Sequence, residues 1–104
     1  MIRGTTPTDT INIKNPGDLD LRNAIEVFVT IRQGQVELTK TGEDIEVAKA
    51  SVSYCLTQNE SLRFKEGKAE AQINWTYMDG QGRKRGATKW LPVNVDRQLL
   101  ERVI

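Results

Sequence analysis

The densest chemistry in this chain sits in one short stretch. Arg83, Lys84 and Arg85 are consecutive, and Lys89 follows closely. Three cations beside a glycine-rich turn can grip phosphate or meet an acidic partner. Trp75, Tyr77 and Trp90 lie near enough in sequence to stack on bases. The same basic loop, Arg83, Lys84, Arg85 and Lys89, also reads as a solvated hairpin tip, and the aromatics fall on an alternating stripe that looks like core. Total charge counts against a dedicated nucleic-acid binder: 15 basic residues face 14 acidic ones, whereas proteins that live on phosphate contacts are usually more basic.

Catalysis is poorly supplied. The chain has no histidine, which removes the commonest general acid/base and the commonest metal ligand. Its one cysteine, Cys55, can form neither an internal disulfide nor a zinc cluster. It has no imidazole to activate it and reads as a buried or inert small hydrophobe. Asp18 with Asp20, and Glu43 with Asp44, are acidic pairs without calcium-loop spacing, and turn chemistry explains them. Gly80 and Gly82 precede no helix that could cradle a phosphate. No enzyme activity, catalytic residue, cofactor or metal is expected.

The elements that carry these residues have a period of two. Ile11 and Ile13 alternate with polar neighbours. Ile25, Val27, Val29 and Ile31 form a four-member apolar stripe, opposite Glu26, Thr30 and Arg32, with Phe28 interrupting the polar face. Gln33-Gly34 then makes a hairpin turn into Val36 and Leu38. Ile45 and Val47, then Val52, Tyr54 and Leu56, give two further short strands. Thr57 with Glu60 has capping-box spacing, which predicts one helical turn near residues 57–62, with Leu62 and Phe64 returning to the core. The longest alternation runs through Ala69, Ala71, Ile73, Trp75 and Tyr77. Asp79-Gly80-Gln81-Gly82 turns the chain, and Arg83 to Gly86 extend that turn. The returning strand sets Trp90, Pro92 and Asn94 against Leu91, Val93 and Val95. Pro92 cannot donate to a ladder, so this strand belongs at an edge or carries a bulge.

About seven short strands spaced near ten residues apart predict an all-β fold, an antiparallel sandwich of immunoglobulin-like type. Leu, Ile, Val and Phe make up 26 of 104 residues, enough for a folded core. The expected organisation is an N-terminal arm at 1–8, a sandwich domain at 9–95, and a tail or short helix at 96–104. The arm, Arg3, Gly4, Thr5, Thr6, Pro7 and Thr8, is too polar to fill a core. It reads either as a loose leader or as an arm that docks on a neighbouring subunit. Residues 1–60 carry 6 basic and 9 acidic groups, and residues 61–104 carry 9 basic and 5 acidic. That asymmetry suits head-to-tail stacking. No apolar run is long enough to span a membrane, and the opening residues lack a signal-peptide core.

The opening Met1-Ile2-Arg3-Gly4-Thr5-Thr6-Pro7-Thr8 resembles that of a family of small virion structural proteins from phages and prophages of Firmicutes. Three more places agree: Ile25–Ile31 followed by Gln33-Gly34, Leu56-Thr57-Gln58-Asn59-Glu60 ending in Phe64, and Ala71–Trp75 before Asp79-Gly80. Asp9 departs from the family, which often has histidine there, as do Arg83-Lys84-Arg85 and the leucine-containing tail. The chain is also distantly similar to the N-terminal immunoglobulin-like domain of phage upper baseplate proteins. The resemblance implies a non-enzymatic structural protein of the tail or baseplate, acting by protein–protein docking. It implies other virion or tail proteins as partners and a homo-oligomer, located in the virion or in the host cytoplasm during assembly. The alternatives are a small β-domain binding nucleic acid through the basic loop, and a carbohydrate-binding sandwich using Trp75, Tyr77 or Trp90.

Overall fold

A computed structural model describes residues 1–96. Eight strands, β1 (Thr8–Asn12), β2 (Glu26–Gln33), β3 (Val36–Thr41), β4 (Ile45–Val47), β5 (Ser51–Cys55), β6 (Gly67–Asp79), β7 (Gly82–Ala87) and β8 (Leu91–Val95), are joined by one short helix, α1 (Gln58–Leu62). They form two antiparallel sheets. One has the order β1-β5-β4. The other has the order β3-β2-β6-β7, with β8 also pairing β6.

This connectivity follows the immunoglobulin scheme. β1, β5 and β4 take the places of strands B, E and D; β3, β2 and β6 take those of C′, C and F. β7 and β8 share the place of G. β6 pairs β7 through residues 74–79 and β8 through residues 67–71, so the two lie end to end along one side of it. The break between them explains why eight strands stand where about seven were expected. There the Ile73 N–H donates to Thr88 Oγ1 at 3.1 Å, and the Thr88 N–H donates to Ile73 O at 2.9 Å. Pro92 sits in the edge strand opposite Glu70, the placement in which sheets tolerate proline. Antibody domains carry a disulfide between their sheets; this chain has a single cysteine, and apolar residues of both sheets pack together between the layers.

The core is one cluster drawn from both sheets. Ile11, Val52 and Tyr54 meet Val29, Ile31, Ala71 and Ile73, and Leu21, Leu56 and Phe64 close the ends. Period-two alternation puts these residues inward. Gly34, at φ +57°, opens the two-residue turn between β2 and β3 in the conformation hairpins favour. The expected helical turn is α1, with its capping box complete: Glu60 N–H donates to Thr57 Oγ1 at 3.1 Å and Thr57 N–H donates to Glu60 Oε1 at 2.9 Å. The segment expected as a tail or short helix lies outside the described residues beyond Asp96.

Strand length then dictates the outline. Thirteen residues in β6 reach about 40 Å, while the five of β1 or β5 reach about 17 Å. The small sheet cannot cover the large one from end to end, and the molecule measures 52 × 23 × 22 Å.

Candidate functional site

The uncovered end of β6 is the candidate site. β2 pairs β6 only as far as Thr76. Tyr77, Met78 and Asp79 pair with β7 alone, so the β6–β7 hairpin projects as a two-stranded ribbon. Its turn is tight: Gln81 N–H donates to Asp79 Oδ1 at 2.7 Å, and Gly82 takes φ +121°.

The basic cluster is therefore not a loop. Pairing resumes at Gly82, so Arg83, Lys84 and Arg85 are strand residues opposite Met78, Tyr77 and Thr76. Alternation splits them. Lys84 shares the inner face with Tyr77, and Arg83 and Arg85 take the outer face. Arg83 bonds Glu26 at 2.7 Å, and Arg85 donates to Asn74 Oδ1 at 3.1 Å. Lys89 stands apart in the break between β7 and β8 and is exposed. A continuous cationic face, which base and phosphate contacts would need, is not assembled.

The aromatics separate too. Trp75 is half-buried against the core, and its indole lies on Gly86 so closely that a Cβ there would meet it at 2.4 Å. Trp90 faces the other way, with the Arg32 guanidinium 3.6 Å from its ring centroid. Tyr77, expected in the core stripe, is 39% exposed, because no strand of the small sheet reaches it. Ile25, expected as the first member of the β2 stripe, is 49% exposed for the same reason, and Met78 is 62% exposed. Ile25, Trp75, Tyr77 and Met78, with Leu19 and Asp18 on the rim, line a groove of about 670 Å³. The side chains of Asp18 and Lys84 have no hydrogen-bond or ion-pair partner among the described residues.

The arm packs on its own domain. Arg3 N–H donates to Asp96 O at 2.8 Å, Asp96 N–H donates to Met1 O at 2.8 Å, and Leu56 N–H donates to Pro7 O at 3.0 Å. Arg3 Nε donates to Phe64 O at 2.7 Å, beyond the end of α1. Gly4 is buried, and its N–H donates to Ser61 Oγ, which in turn donates to Thr5 O at 2.7 Å. Thr5 is half-buried, Thr6 is exposed, and Thr8 opens β1. These groups find partners in the chain's own fold, an arrangement that neither sequence reading, the loose leader or the arm docked on a neighbouring subunit, described. Ser61 is the residue sequence reasoning missed. It is fully buried, and nothing in its neighbours' pattern signals that a hydroxyl must hold the arm there.

Two further side chains fall into place. Cys55 is exposed, which corrects the buried half of the buried-or-inert reading; Tyr54 beside it takes the core position. Asp20 caps the turn Leu21–Asn23 and pairs with Arg22 at 2.7 Å. The Arg22 guanidinium outweighs partial desolvation and lowers the Asp20 carboxyl to about 2. Glu43 and Asp44 form the turn before β4. No group of side chains among the described residues could hold a metal ion, and no helix among them is long and apolar enough to cross a membrane.

Compared with known proteins, the chain matches no family model, and no curated protein shows significant similarity to it.

Proposed function

We propose that this protein is a non-enzymatic structural module that works by protein–protein docking, and that the β6–β7 ribbon is its docking surface. The observation that carries the reading is the exposure of Ile25, Tyr77 and Met78 together at the overhanging end. Apolar residues exposed around one groove of a small domain mark an interaction site. The occupant proposed is a second copy of this chain. The groove has an unpartnered carboxylate, Asp18, on one side and an unpartnered ammonium, Lys84, on the same face of the ribbon. Two ribbons related by a two-fold axis can exchange those charges across an apolar centre, as isologous interfaces require. The resemblance to phage virion proteins sets the proposed context, a tail or baseplate assembly with other virion proteins as further partners.

Light scattering coupled to size exclusion tests this. The full chain is expected to be a dimer or larger closed oligomer, and the Ile25→Ser/Tyr77→Ser/Met78→Ser variant a folded monomer. A monomeric parent chain, or an oligomer indifferent to those substitutions, overturns the ribbon reading. Detection of the chain in purified phage particles by mass spectrometry tests the virion context separately.

A further inference from the structure

A second feature lies on the opposite face of the large sheet, away from the groove. Phe28 interrupts the polar outer face of β2, and around it is a cup of about 320 Å³ lined by Phe28, Thr30, Thr39, Asn74, Thr76 and Arg85. The register explains the gathering. Phe28 lies opposite Asn74, Thr30 opposite Thr39, and Thr76 opposite Arg85.

Side chains on the solvent face of a sheet can be satisfied by water. Here they are tied in series. Gln72 Nε2 donates to Thr88 O at 2.9 Å, Asn74 Nδ2 donates to Gln72 Oε1 at 3.1 Å, and Arg85 Nη2 donates to Asn74 Oδ1 at 3.1 Å. Asn74 is only 8% exposed, so this relay anchors the Arg85 guanidinium from a fixed point. Arg85 is itself exposed, and one of its five N–H donors is engaged at Asn74. Glu26, the carboxylate on the far side of Thr76, is neutralised by Arg83 at 2.7 Å.

We propose that this cup binds a carboxylate, held by the Arg85 fork, with the Phe28 ring as an apolar floor. A planar, singly charged carboxylate matches one guanidinium fork. Asn74 and Gln72 act as positioning residues. The ligand is either a free small carboxylic acid or the C-terminal carboxylate of a partner chain. This goes beyond the ribbon reading, and neither depends on the other.

The test is an NMR titration of the ¹⁵N-labelled full chain with three probes: 3-phenylpropionate, an N-acetylated Ala-Ala-Phe peptide with a terminal carboxylate, and the same peptide as its amide. Saturable shifts are expected at Phe28, Asn74, Thr76 and Arg85 with the acids and not with the amide. Tighter binding of the peptide acid than of 3-phenylpropionate assigns the chain-terminus source, and the reverse assigns the free acid. Arg85→Gln is expected to weaken binding about tenfold or more, as loss of a charge-assisted bond does. Arg85→Lys, which keeps charge without the fork, recovers only part of it, and Lys84→Gln leaves it unchanged. Asn74→Ala is expected to weaken binding while the rest of the spectrum stays folded. The proposal falls if the acids produce no shifts at millimolar concentration, if the amide binds equally, or if Arg85→Gln binds like the parent.

Discussion

At the scale of single residues, two contacts carry stability that can be measured. Gly86 is the first. Its hydrogen leaves room for the Trp75 indole, and a Cβ would come within 2.4–2.6 Å of three indole atoms. Gly86→Ala must push the ring off the core, which overpacking data put at about 1–3 kcal/mol. Urea denaturation is expected to show that loss, and the tryptophan emission is expected to shift to the red. Glu60 is the second. It closes the capping box and also meets Lys40 at 2.8 Å. Partial burial pushes its carboxyl up, but Lys40 and the Thr57 backbone N–H outweigh that and hold it below its ordinary value. Asp20 is lowered as well, from 3.8 to about 2. In both cases the unfolded chain binds protons more readily than the folded one, so stability rises with pH through this range. Their contribution is complete above about pH 4.5 and is lost as pH falls toward 2. The melting temperature should drop across that window, and a Glu60→Gln/Asp20→Asn variant should show a flatter profile there.

At the scale of elements, alternation made most of the sandwich legible. Val27, Val29 and Ile31 face inward because each sits two residues from the next, and no tertiary information is needed to say so. The Thr57–Glu60 spacing located α1 for a similarly local reason. Thr57→Ala removes the cap and is expected to cost about 0.5–2 kcal/mol by thermal or chemical unfolding. What alternation could not supply was extent. It marks which side of a strand is apolar, not how far the opposing layer reaches, so Ile25 and Tyr77 looked like core and are 49% and 39% exposed. It also could not tell a basic turn from a basic strand, because Arg83, Lys84 and Arg85 carry no apolar beat. The cup at Phe28 was visible only as an irregularity, one aromatic on a polar face. Lys40 is a quieter case. It lies opposite Val29 on the inner face of edge strand β3 and pairs there with Glu60. An inward charge on an edge strand discourages pairing with foreign strands, and it leaves the ribbon as the more available surface for association.

At the scale of the whole molecule, the arm completes the domain. Deleting residues 1–6 removes the bonds of Arg3 to Asp96 and Phe64 and leaves the Ser61 hydroxyl without its Gly4 and Thr5 partners. A few hydrogen bonds with buried groups are worth on the order of 2–3 kcal/mol, a loss that a loose leader would not cause. Hydrogen exchange offers an independent check, with the Gly4 and Leu56 amides expected to be protected in the full chain. The geometry of this attachment has a mechanical side. Ile2 bridges Asp96 in parallel, so residues 1–3 and the end of β8 point the same way. Tension applied at residue 1 and at residue 96 drags these segments past each other along their length. The bonds that clasp them are then strained together rather than peeled in turn, and Arg3, gripping Phe64 O beyond α1, adds a third anchor to the clasp. A domain stitched in this way resists being drawn out by its ends, while the ribbon at its overhanging end remains outside the line of force.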